Sequence, residues 1–143
     1  IMRKYNKNVV IRYNFSRNDR YGAYYYGFPK ENDLHGVLVH DNLHIFDAGQ
    51  KAVIFVCGDR ERRPIGTVYR GNVFIFADGG EWGIEPDASC SFEGNAFYNV
   101  RPLGNGAISD TAGILRRIGE ITGKLVGAGV AVPEAGRDLQ RSG

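Results

Sequence analysis

A motif repeats in this chain, and the repeat limits the fold more than composition does. Residues 36–49 read Gly-Val-Leu-Val-His-Asp-Asn-Leu-His-Ile-Phe-Asp-Ala-Gly, and residues 66–79 read Gly-Thr-Val-Tyr-Arg-Gly-Asn-Val-Phe-Ile-Phe-Ala-Asp-Gly. Gly36, Asn42, Ile45, Phe46 and Gly49 recur as Gly66, Asn72, Ile75, Phe76 and Gly79. A weaker third copy places Phe92–Phe97 against Tyr69–Phe74. Each copy holds Asp-Asn or Gly-Asn between two β-prone runs. Both central residues of a type I′ turn need positive φ, which Gly, Asn and Asp tolerate best. The repeat therefore predicts two-residue β-hairpins, with Val39 opposite His44 and Val68 opposite Ile75. A parallel β-helix, which also uses Gly-Asn turns, is the minority alternative.

Side chains alternate faces along a strand. One face of the second repeat then carries Ile65, Thr67, Tyr69, Phe74 and Phe76, and the other carries Val68, Val73, Ile75 and Ala77. With one face aromatic and one aliphatic, both sides need covering. Further strands are expected near Asn8–Phe15, Tyr21–Gly27 and Lys51–Cys57. A helix is expected from Asp110 to Val126, capped by Ser109 or Asp110, with Ile114, Ile118, Ile121 and Leu125 on one face. Arg116, Arg117, Glu120 and Lys124 fall on the opposite side. The fold class follows as mainly β (α+β), an antiparallel sheet or partly closed barrel of consecutive hairpins with one C-terminal amphipathic helix packed on it. Residues 1–127 make the expected domain, and 128–143 a tail with a possible edge strand at Val130–Val132.

With 143 residues, 43% hydrophobic and 24% charged, the composition is that of a single globular domain. No apolar run has the length of a membrane span, and no secretory signal pattern opens the chain, so a cytoplasmic setting with reduced thiols at Cys57 and Cys90 is expected. The net charge of +2 is unevenly placed: residues 1–30 hold seven basic groups and one acid. That segment also holds eight of the seventeen aromatics.

Candidate chemistry is sparse. His35, His40 and His44 suggest a metal cluster on paper, but the hairpin register separates His35 from His44 by about 13 Å, and His40 faces the other way. No metal and no cofactor is expected. Asp78, Glu81, Glu85 and Asp87 surround Trp82, a composition compatible with acid/base chemistry and also with a solvated loop. Gly104-Asn105-Gly106, just before the helix, offers a weak anion site near Arg101. The basic, Tyr-rich start suits a protein interface or single-stranded nucleic acid.

The leading expectation is a small, non-catalytic, homodimeric binding module. Its ligand would be a small apolar or aromatic molecule on His44, Phe46, Tyr69, Phe74 and Phe76, or a protein partner on Arg12, Arg17, Arg20, Tyr24, Tyr25 and Tyr26. The first alternative is a hydrolase or lyase using the acids around Trp82 with a histidine such as His44. The second is nucleic-acid binding through the N-terminal hairpin.

Overall fold

A computed structural model describes residues 2–3, 7–20, 22–27, 36–57 and 64–132, with only the backbone described at 2–3, 25–27 and 57. Along the chain lie β1 (Met2–Arg3), β2 (Val10–Arg12), β3 (Phe15–Arg17), β4 (Tyr24–Gly27), β5 (Val37–His40), β6 (Leu43–Phe46), β7 (Phe55–Cys57), β8 (Thr67–Arg70), β9 (Val73–Phe76), β10 (Ser91–Glu93), β11 (Ala96–Tyr98) and α1 (Thr111–Gly127). Every strand pairing is parallel, in three sheets ordered β1-β4-β7, β10-β8-β5-β2 and β11-β9-β6-β3. The chain visits the three sheets in rotation, so each circuit is one coil of a parallel β-helix.

This corrects the expected antiparallel hairpins. The repeat is real, but its copies are successive coils stacked in register: Val37↔Thr67 and Leu43↔Val73, then Ser91↔Val68 and Ala96↔Val73. The reason lies in the turn. Type I′ reversal needs positive φ at both central residues. Here only the first has it, with Tyr13, Asp41, Gly71 and Gly94 at φ 55°, 53°, 59° and 58°, while the following asparagines do not. One left-handed residue turns a corner between two sheets and leaves the strand edges free to pair with the next coil.

The asparagine after each corner binds the coils together. Asn14, Asn42 and Asn72 each donate both the backbone N–H and Nδ2–H to the Oδ1 of the next asparagine, at 2.9–3.1 Å, ending on Asn95. Their Nδ2 groups also reach backbone carbonyls, Asn42 to Ile11, Asn72 to Val39 and Asn95 to Tyr69. The buried amides of Asn42, Asn72 and Asn95 thus find partners for both Oδ1 and Nδ2. The ladder stops where a shortened coil pairs Glu93 with Asn105 and Ala96 with Ile108, which puts Ala107 in the asparagine's place.

In-register stacking also aligns the side chains. The aromatic face turns inward, where Tyr69 stacks on Phe92 (4.7 Å), Phe46 on Phe76 (5.0 Å), and His44, Phe74 and Phe97 form one column (5.4 and 5.5 Å). The aliphatic face of β6, β9 and β11 turns outward and is covered by α1: Leu43, Ile45, Val73, Ile75 and Ala96 pack on Ile114, Ile118, Ile121 and Leu125. The aromatic face is covered by the coil itself, but the expected aliphatic face is split at the corner: Val73 and Ile75 lie under the helix, whereas Val68 faces outward on the neighbouring sheet and Ala77 is exposed. Asp110 caps α1 by accepting from the Gly113 N–H. Val130 and Val132 pack against the helix cluster without strand pairing, and residues 133–143 lie outside the described residues.

Candidate functional site

The five residues expected to hold a small ligand come together inside the coil. His44, Phe46, Tyr69, Phe74 and Phe76 are all buried, and their partners are one another and Tyr24, Phe92 and Phe97. A polar thread runs through this core. The His44 ring bonds Ser16 Oγ through Nδ1 (2.7 Å) and the Tyr24 hydroxyl through Nε2 (2.9 Å). Burial drives the His44 pKa down to about 3, so the ring stays neutral at physiological pH. Burial also raises the Tyr24 phenol well above its ordinary value. The Tyr69 hydroxyl is buried without a hydrogen-bond partner among the described residues.

The acids around Trp82 occupy a different place. Glu81 bridges to Val53, making that stretch the third side of its coil. Trp82 is buried, and its indole N–H donates to the Arg101 carbonyl at 2.9 Å. Arg101 forms an ion pair with Glu85. Three shallow, open clefts adjoin this segment. One, of about 400 Å³, lies among Glu85, Asp87, Cys90, Glu93 and Asn105, and another, of about 320 Å³, among Glu81, Trp82, Glu85 and Arg101. The third lies between Lys51, Glu81 and Ile84. His44 lines none of the three. Cys90, in the first cleft, has its thiol pKa pushed up to about 11, chiefly by burial, and so is not an activated nucleophile.

Among the described residues no group of three or more His, Cys, Asp or Glu side chains could hold a metal ion. The hairpin spacing used to separate the histidines does not hold. His40 points outward against Tyr13 and bonds Asp41, whereas His44 points inward. His35 lies outside the described residues.

A charged clasp joins helix to corner, which the opposite-face placement of Arg117 and Lys124 missed. Asp41 accepts from Arg117, from Lys124 Nζ (3.1 Å) and from His40 Nδ1 (2.8 Å). Burial pushes the Asp41 carboxyl up, but these three bonds and the Arg117 charge outweigh it and hold it below its ordinary value. Arg117 also donates to the Gly71 carbonyl. A side chain at Gly71, already at φ 59°, would collide with that guanidinium.

The expected partner residues separate. Arg12 and Arg17 stand on the first coil, at the ends of β2 and β3, and Arg20 lies exposed just beyond. Arg12 lies over the Tyr13 ring at 5.1 Å. Arg17 grips Asp47 through two bonds of 2.7 and 2.9 Å, and Asn18 also donates to that carboxylate. Tyr24 is part of the core. The side chains of Tyr25 and Tyr26 lie outside the described residues.

Among the described residues no helix or strand covers the outer face of sheet β10-β8-β5-β2. Its rungs align Val10, Leu38, Val68 and Ser91 in one row and Arg12, His40, Arg70 and Glu93 in the next. Leu38 and Val68 are half-buried, Val10 is 53% exposed, and Arg70 pairs with Glu93 at 2.8 Å. No helix of the described residues is long and apolar enough to cross a membrane. No protein-family model, curated protein or solved structure matches this chain.

Proposed function

We propose that this chain is a non-catalytic binding module that engages a protein partner through its first coil and the bare face beside it. The observation that supports this is a contrast in covering. The interior is filled with stacked rings and the outer face of β6, β9 and β11 is under α1, while the face carrying Val10 and Arg12 is left open. An exposed apolar row bordered by arginine has the composition of a protein interface. The test is photo-crosslinking with benzoylphenylalanine placed at Val10 or Leu38, with Asp78 as control. An adduct of one discrete mass from the first two positions, lost in Arg12→Glu and absent at Asp78, supports the proposal. Equal labelling at all three positions, or none, overturns it.

The alternative of a hydrolase or lyase is favoured by one observation, the gathering of three clefts around Glu81, Glu85 and Asp87. Replacing all three acids by amides separates the readings. Loss of a glycoside- or ester-cleaving activity in a folded variant would establish the enzyme, and an inert parent protein would dismiss it.

A further inference from the structure

The two ends of the β-helix are finished differently. At the C-terminal end, Asn105 and Ile108 pair onto β10 and β11. At the other end, β2 and β3 are the outermost strands of their sheets among the described residues. On β2 the Val9 carbonyl accepts from Leu38 N–H, in the register Val10↔Leu38. In a parallel ladder alternate residues bond alternate sides, so the N–H groups of Val10 and Arg12 and the Val10 carbonyl point off the edge. The asparagine ladder is open on the same side. Oδ1 of Asn42, Asn72 and Asn95 each accepts two N–H groups from the preceding coil. No described residue donates to Oδ1 of Asn14.

Charge selects the occupant of this edge. Arg12 and Val10 are exposed on it, and Lys7 is exposed just ahead of the strand, before the left-handed Asn8. A second copy docked edge to edge would bring like charges together, which disfavours self-pairing. An acidic strand meets the opposite condition. We infer that the β2 edge accepts an extended acidic segment of another protein as an added strand, with one of its backbone N–H groups donating to Asn14 Oδ1. Main-chain bonds then supply affinity and the flanking cations supply selectivity. The inference rests on the proposed partner surface and adds the partner's chemistry and docking mode.

The test uses the full chain with three labelled probes: a peptide alternating glutamate and valine, its lysine–valine counterpart, and a thymidine oligonucleotide. Anisotropy reads affinity, and amide exchange by NMR reads Val10 and Arg12. The acidic peptide should bind at least about tenfold more tightly than the other two. It should slow exchange at both amides about tenfold or more, and weaken about tenfold in Arg12→Glu and less in Asn14→Ala. Arg12→Gln, with unchanged amide dispersion, guards against a folding effect. Acidic-peptide binding that depends on Arg12 but leaves the two amides unprotected would overturn strand addition while sparing the partner surface. No binding, or binding indifferent to Arg12, would overturn both. Tighter binding of the oligonucleotide would overturn the acidic peptide in favour of nucleic acid.

Discussion

The outer faces of the two four-stranded sheets are built on the same coils in the same register, yet one is covered and the other bare. On β6, β9 and β11 the outward residues are Leu43, Ile45, Val73, Ile75 and Ala96, all buried under α1. On β2, β5, β8 and β10 the outward rows interleave Val10, Leu38 and Val68 with Arg12, His40, Arg70 and Glu93. One charged row is enough to exclude a helix, since burying it would strand the charges. The covered face therefore serves stability, and the bare face is the one proposed above for recognition.

The largest disruption should come at the corner the two sheets share. Asn72→Ala removes four hydrogen bonds that bridge three coils and leaves buried partners unpaired. It should cost about 4 kcal/mol by urea denaturation, against under about 1 kcal/mol for Asn14→Ala at the open end. Next comes the helix contact. Ile118→Ala should cost about 3 kcal/mol, whereas Leu38→Ala on the bare face should cost about 1 kcal/mol or less. Equal losses from these two would erase the distinction between the faces.

The third effect is pH dependence. The folded His44 stays neutral down to about pH 3, while the unfolded ring protonates near 6.5. The unfolded state thus binds more protons, and stability is lost as pH falls below about 6.5. Between pH 7 and pH 5 the loss should be about 2 kcal/mol, and His44→Phe should flatten that limb. Asp41 adds a further loss only in the carboxylate range below it, because its folded pKa is depressed. The smallest effects should be gains. Tyr69→Phe removes an unpaired buried hydroxyl and should stabilise by about 1 kcal/mol. A Cβ at Gly119 meets nothing within 4 Å, so Gly119→Ala should add just under about 1 kcal/mol of helix propensity.

Much of this was legible in the sequence. The repeat, the aromatic face and the helix stripe of Ile114, Ile118, Ile121 and Leu125 all stand in the structure, with α1 beginning and ending one residue later than expected, while the expected aliphatic face is divided between two sheets. The direction of the neighbouring strand was not legible. Asp41-Asn42 suits either a hairpin or a corner, and only the φ of Asn42 decides between them. A fourth copy, Tyr13-Asn14, escaped notice because tyrosine is a poor sign of a left-handed corner. Of the proposed surface, Arg12 was singled out in the sequence, whereas the inward turn of Tyr24 was not legible, since the same alternation serves either side of a wall. Nor did helical periodicity reveal the clasp of Arg117 on Asp41, because long side chains reach around a helix to charges at its flank.

The architecture itself is best tested by NOE spectroscopy of the isotopically labelled chain. Parallel coils require contacts that join Leu38 to Val68 and Val68 to Ser91, and Leu43 to Val73 and Val73 to Ala96. Cross-strand contacts that instead join Val39 to His44 and Val68 to Ile75 as facing backbone pairs would restore the hairpins and dismantle the ladder, the filled interior and the open edge together.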